Sequence, residues 1–211
     1  MHRVSLGLSA IFLLIGTSFA DSADDLFLQQ LYPEGGKTLY CQEPFHKDSR
    51  VSVEEIYDER RLAKHFGCRS GRLCRGNKDF TEIQQDRHTR FPVTTKAELV
   101  RRRTLFGDLP ANLTADTECG YKQSFQVFEP PKHAKGDIAR AMLYLYDRYD
   151  LPLIGTLEMY QRWNREDPVD DEEKRRNNEI ERFQGNRNPF IDDPGKADNL
   201  KGSSPLNMQF P

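Results

Sequence analysis

Residues 136–149 read GDIARAMLYLYDRY, and this stretch decides the fold class. Ile138, Ala141, Met142, Leu145 and Tyr149 fall at i, i+3, i+4, i+7 and i+11, the spacing of one apolar stripe on an α-helix. Asp150-Leu151-Pro152 ends it. Working outward, residues 155–164 predict a second helix with Leu157, Tyr160 and Trp163, the only tryptophan, turned to the core. A third helix opens after Asp167-Pro168. Asp170, Asp171, Glu172 and Glu173 fill its first turns, where acids complement the helix dipole, and Ile180 and Phe183 are its expected buried side. Residues 194–211 (PGKADNLKGSSPLNMQFP) carry no periodicity and read as a disordered tail.

The chain before this helical half is less regular. Residues 21–32 predict a short amphipathic helix with Leu26, Phe27 and Leu31 inward. Lys37–Cys41 (KTLYC) is a strand candidate after the Gly35-Gly36 break. Gly67–Asn77 is a loop rich in Gly and Arg, and residues 80–109 have no clean periodicity. The expected fold class is α+β, a single mainly helical domain over residues 21–193 with a small irregular sheet.

The first 20 residues read as a secretory signal. His2 and Arg3 give a positive start, residues 4–16 (VSLGLSAIFLLIG) an apolar core, and Thr17-Ser18-Phe19-Ala20 small residues for cleavage after Ala20. That apolar run is shorter than the ~20 residues a spanning helix needs, and no second hydrophobic stretch suggests a membrane span. The expected location is therefore periplasmic or secreted.

Four cysteines follow, Cys41, Cys68, Cys74 and Cys119. An even number in an oxidising compartment points to two disulfides. Three pairings are possible; the short Cys68–Cys74 separation favours that pair, which leaves Cys41 with Cys119. A zinc site lacks both a C-x-x-C element and histidines at ligand spacing.

The formal net charge of −2 hides an asymmetry. Between Arg60 and Arg103 stand 13 Lys or Arg against four acids, so a basic block sits inside an otherwise acidic chain. Such a block suits a polyanion-facing surface, or a solvated face neutralised by the acidic helices.

Several segments, in one order, resemble the bacterial endonuclease I family of extracytoplasmic, metal-dependent nucleases. They are Phe66-Gly67-Cys68…Cys74-Arg75, Phe106-Gly107-Asp108-Leu109, Lys135–Arg140 (KGDIAR) with Tyr144, Trp163…Asp167-Pro168-Val169-Asp170, Arg176-Asn177, and residues 184–191 (QGNRNPFI). The resemblance runs from Leu26 to Asp193 and implies a ββα-metal fold, Mg²⁺ as cofactor, and DNA or RNA as partner; a monomer is the expected state. In this family the base is the His of an E-H pair whose Glu helps hold the metal. An Asn completes the metal site, and an Arg steadies the phosphate.

The chemical positions depart from that pattern. The E-H pair falls on Glu54-Glu55, so the base position holds Glu55. The family motif I-E-A-D-L-H-N-L-x-P corresponds to residues 83–92 (IQQDRHTRFP), which keep Asp86, His88 and Pro92. The metal Asn falls on Glu98, and the following R-S-N becomes Arg101-Arg102-Arg103. The resemblance thus names Glu55, His88 and Arg72 as catalytic candidates, with Arg69 as a second choice for phosphate, and Glu54 and Glu98 as metal candidates. Arg60, Arg61, Arg69, Arg101, Arg102 and Arg103 are nucleic-acid-binding candidates. A carboxylate near 4.3 is a poorer base at neutral pH than an imidazole near 6.5, so weakened hydrolysis is the expectation. The alternative is a relative that binds nucleic acid without cutting it; a third reading is an exported domain with a protein partner.

Overall fold

The computed structural model describes residues 23–102 and 104–201. The proposed signal segment, Arg103 and residues 202–211 lie outside the described residues. In chain order the elements are α1 (Ala23–Leu31), β1 (Gly36–Lys37), β2 (Pro44–Phe45), β3 (Ser52–Glu55), α2 (Glu59–His65), α3 (Gly71–Cys74) and α4 (Lys78–Gln85). Then come β4 (Arg90–Val93), α5 (Thr95–Arg101), β5 (Leu105–Phe106), β6 (Lys122–Gln123) and β7 (Val127–Glu129). The helical half is α6 (Lys135–Tyr149), α7 (Leu157–Glu166), α8 (Asp171–Gln184), α9 (Pro189–Asp192) and α10 (Lys196–Asn199). The class is α+β.

Helix α6 is the centre of the core. Ile138, Ala139, Ala141, Met142, Leu143, Tyr144 and Leu145 are all buried, so its first ten residues are covered on nearly every side rather than along one stripe. Asp150 ends it in the left-handed region, φ 53°. Helix α7 packs along it through Leu157, Tyr160 and Trp163, and Thr156 caps its start by accepting from the Met159 amide at 3.2 Å. Gly136 cannot be replaced cheaply: an added Cβ would lie 2.1 Å from the Asp167 carbonyl. The Gly136 amide donates to the Asp167 carboxylate at 2.8 Å. This contact joins the start of α6 to the Asp-Pro turn before α8.

Helix α8 starts with a capping box in which Asp170 and Glu173 satisfy each other's amides. Ile180 is buried as expected, whereas Phe183 is 45 % exposed. At the N-terminus Phe27 and Leu31 of α1 join Tyr32, Phe45 and Ile180 in a second, smaller core, while Leu26 is 43 % exposed. Leu26 stands one residue before the buried Phe27, and one helical step turns a side chain about 100°; Phe183 lies in the last turn of α8, one residue before the helix ends at Gln184.

The strands form three separate sheets, β1–β2, β3–β4 and β5–β7–β6, rather than one small sheet. Of the strand expected at 37–41 only Lys37 is extended, in β1. The disulfides are Cys41–Cys119 and Cys68–Cys74. The tail reading from 194 is corrected in its first part: α10 buries Ala197, and Gln161 of α7 donates to the Ala197 carbonyl at 2.8 Å. A turn this short needs only one buried side chain and leaves no periodicity to read. Among the described residues no helix is long and apolar enough to cross a membrane.

Candidate active-site cleft

Strands β3 and β4 pair antiparallel, with Val53 opposite Pro92, Glu54 opposite Phe91 and Glu55 opposite Arg90. Helix α5 follows at once, started by Thr94, whose hydroxyl accepts from the Ala97 amide at 3.3 Å. The result is a β–β–α frame in which residues 56–89, carrying α2, α3 and α4, loop out between the two strands. A cleft of 360 Å³ opens on this frame, lined by Glu54, Glu55 and Glu59, by Glu98 of α5, and by Arg60 and Arg102.

Arg101 fixes the frame from inside. It is 1 % exposed and donates to the carbonyls of Thr104 at 2.9 Å and Ile56 at 3.2 Å. Its guanidinium lies 3.8 Å from the Phe106 ring centre, and its Nε is 3.4 Å from Glu54 Oε1. Arg101 therefore joins α5 to β3; it also lines the cleft, almost wholly buried, with two of its nitrogens engaged by carbonyls and its Nε facing Glu54 without a hydrogen-bond partner.

Successive strand residues face opposite ways, which separates the environments of the two glutamates. Glu54 is 5 % exposed and accepts no hydrogen bond from a described residue; the loose contact with Arg101 is its counter-charge. Burial pushes its carboxyl up to about 7, opposed by Arg101 and assisted by Glu98 and Glu55. Glu55 is turned toward Arg90 and the amide of Glu59. Burial also lifts it to about 7, with Arg90 opposing and Glu59 and Asp24 assisting. With no cation beside it, burial thus holds Glu55 above the range of a free carboxylate. Glu98 accepts from Arg102 at 2.6 and 2.9 Å across one exposed helical turn, a pairing too weak to hold it fast.

Hard Mg²⁺ sites are commonly built on one or two carboxylates completed by water and phosphate. Among the described residues no three His, Cys, Asp or Glu side chains form an all-protein cage. Glu54 and Glu98 are nevertheless two hard oxygen donors on one cleft, and the buried one, Glu54, accepts no hydrogen bond beyond its loose contact with Arg101. The residues present fit such an ion.

His88 does not line this cleft. It is 3 % exposed, its Nε2 is 3.1 Å from the Asn186 carbonyl, and its ring lies 4.9 Å from that of Tyr144. Burial lowers its pKa. Beside it the Asp86 carboxylate accepts from Tyr144 at 2.6 Å, Tyr149 at 2.7 Å and Gln184 at 2.8 Å. The catalytic expectation for His88 is corrected: this hub ties α6 and the end of α8 to the chain before β4.

The remaining arginines divide by exposure. Arg60, Arg69 and Arg72 are exposed, as are Lys64, Arg75 and Lys78, and none has an ion pair among the described residues. Arg61 is paired with Asp58, the α2 cap. Arg102 is exposed but engaged by Glu98. The Cys68–Cys74 bridge holds Arg69 and Arg72 on the outside of the excursion. Sequence reasoning missed the Glu59 amide as a partner of Glu55, and no spacing signal marks it, because Glu55 ends a strand and Glu59 begins a helix.

A strand pair and helix around clustered carboxylates, crossed by an arginine-rich excursion, place the chain among nuclease-like ββα proteins. The endonuclease I family profile matches residues 77–195, and the chain belongs to that family, whose members are in general metal-dependent. It is 32 % identical over 151 residues to an extracellular deoxyribonuclease of Aeromonas hydrophila, covering 68 % of this chain and 66 % of the relative. A periplasmic deoxyribonuclease of the same organism is 32 % identical over 154 residues, 70 % of this chain and 65 % of the relative. An extracellular ribonuclease of Bacillus amyloliquefaciens is 40 % identical over 92 residues, 35 % of this chain and 32 % of the relative. The chain therefore spans about a third of the ribonuclease and about two thirds of the deoxyribonucleases.

Proposed function

We propose that this protein is an exported endonuclease I-type nuclease that hydrolyses phosphodiesters of DNA or RNA, with activity weakened by Glu55 at the base position and Glu98 at the metal position. The observation that carries the reading is the buried Glu54 carboxylate, which has only the loose 3.4 Å contact with Arg101, on the same cleft as Glu55 and Glu98. Glu54 and Glu98 would hold Mg²⁺, which when bound supplies positive charge to the phosphoryl oxygens. Glu55, held near neutral pKa by burial, takes the proton from the attacking water. Arg60 and Arg102 at the cleft, with Arg69 and Arg72 on the excursion, orient the phosphates. Export follows from the proposed signal with cleavage after Ala20, and the extracellular and periplasmic relatives support a periplasmic or secreted destination.

The test is plasmid nicking by mature, disulfide-intact protein, with Mg²⁺ and with chelator. Slow Mg²⁺-dependent nicking that disappears in Glu54→Ala supports the reading; nicking that persists in that variant overturns the assignment. A second reading, nucleic-acid binding without cleavage, is favoured by the engagement of Glu98 by Arg102 and of Glu54 by Arg101. It predicts no nicking but salt-sensitive retention of DNA. Absence of retention at low salt would leave a protein partner as the explanation for the exposed arginines.

A further inference from the structure

The two arginines at the end of α5 are each set against a carboxylate of the candidate cleft, and they differ in how firmly they are held. Arg101 Nε stands 3.4 Å from Glu54, and two carbonyls and the Phe106 ring keep its guanidinium in place. Arg102 is set against Glu98, donating from Nε at 2.9 Å and from a terminal nitrogen at 2.6 Å. Both bonds end on the same oxygen, Oε1, so Oε2 of Glu98 accepts nothing from a described residue. Arg102 has no other side-chain partner among the described residues, and its side chain is 55 % exposed against 1 % for Arg101.

Two cations do not share one carboxylate without cost. A guanidinium on Oε1 and a divalent ion on Oε2 would be near neighbours, and like charges at that range repel even through water. An exposed i,i+4 ion pair shifts an equilibrium by only about twofold to fivefold, and the divalent ion carries twice the charge. Arg102 is therefore the counter-ion that yields. Its release needs only a side-chain rotation on the last turn of α5, and it already lines the cleft. Arg101, boxed in by its carbonyls, stays.

We propose that Arg102 is an exchangeable counter-ion of the cleft: it neutralises Glu98 while no divalent cation is present, and it passes to a phosphate oxygen of the nucleic acid when Glu98 takes the cation. One guanidinium cannot serve both partners at once, so through this residue cation and phosphate each favour the other's binding, as linkage requires. The inference rests on the proposed function, with Glu98 as a ligand of the divalent cation, and adds the residue that couples cation to strand.

The test uses mature, disulfide-intact protein. Mg²⁺ alone is titrated by calorimetry, and a 12-nucleotide phosphorothioate strand, which resists hydrolysis, by anisotropy at several salt concentrations, with Mg²⁺ and with chelator. Arg102→Gln is compared with Arg60→Gln, which removes the same charge from the same cleft at an exposed residue that pairs with no described group. Arg102→Gln is expected to bind Mg²⁺ about twofold to fivefold more tightly than the parent, and Arg60→Gln to gain less. For the strand, Arg102→Gln should lose about 0.7 from the slope of log K against log salt, one phosphate contact, with Mg²⁺ but not with chelator. Arg60→Gln should lose the same amount under both conditions. Equal gains in Mg²⁺ affinity for the two variants, no gain for Arg102→Gln, or a slope loss in Arg102→Gln that is indifferent to the metal would overturn the exchange and leave the proposed function standing. A parent protein that takes up no Mg²⁺ would bring down the proposed metal site and the exchange with it.

Discussion

Arg140 donates two hydrogen bonds of 2.6 Å to the carboxylate of Glu173, at a depth where neither side chain exceeds 4 % exposure. The same guanidinium reaches Asn164 and the Asp167 carbonyl, so one arginine of α6 holds α7, α8 and the turn between them. Removing one partner would leave a buried charge uncompensated. Glu173→Ala is expected to cost roughly 3–5 kcal/mol, read as a lower midpoint in denaturant unfolding at neutral pH. A loss below about 1 kcal/mol would mean that the site relaxes enough to admit water.

Glu55 carries the pH dependence of activity. A base must be deprotonated to act, and its carboxyl lies at about 7. The nicking rate is therefore expected to rise with pH and then level off, with the midpoint moved below 7 when Mg²⁺ is bound beside Glu55, because the cation favours the carboxylate. Glu55→Gln should lower the plateau by ~10²–10⁴-fold. A rate that is flat from pH 5.5 to 8.5, or a Glu55→Gln variant with parental activity, would remove Glu55 from the chemistry.

Glu54 links stability to pH and to metal. Its carboxyl lies at about 7 in the fold and near 4.3 in an unfolded chain, so between these values the folded protein holds a proton that the unfolded chain has released. Stability from this group is fully present below pH 4 and is lost as pH rises through 7. The melting temperature should fall from pH 5 to pH 8, less steeply in Glu54→Gln. Mg²⁺ at pH 8 should raise it in the parent and not in Glu54→Gln; equal gains in both would exclude Glu54 as a ligand.

The two disulfides are expected to act differently. Cys41–Cys119 closes a separation of 78 residues and Cys68–Cys74 one of 6. Loop entropy predicts losses of about 4 kcal/mol for the first pair replaced by serine and about 2 kcal/mol for the second. The second variant, whose bridge presents Arg69 and Arg72, should lose salt-sensitive DNA retention at temperatures where it is still folded. Equal retention would show that the excursion keeps its shape without the bond.

Helices α6, α7 and α8 were legible because their apolar residues repeat at helical spacing, Asp150-Leu151-Pro152 stops the first, and the acids at 170–173 mark the start of the third. The positions of Glu54, Glu55 and Glu98 on one frame were legible only through the family resemblance, since no periodicity marks strands of two to four residues. Arg101 shows what a sequence cannot reveal. In a run of three arginines nothing marks which turns inward; that is decided by the carbonyls of Ile56 and Thr104 and the ring of Phe106, which other segments supply. The pKa of Glu55 was equally hidden, because it comes from burial against residues far along the chain.

The excursion between β3 and β4 also orders events during folding. The two strands that build the cleft are separated by residues 56–89, so their pairing must await closure of a long loop, whereas α6 and α7 are neighbours in sequence. Contacts distant in sequence form more slowly than local ones. The helical half is thus expected to assemble first, and the cleft last. A newly made chain would pass through a stage in which the helical half is already packed and the cleft is not yet built.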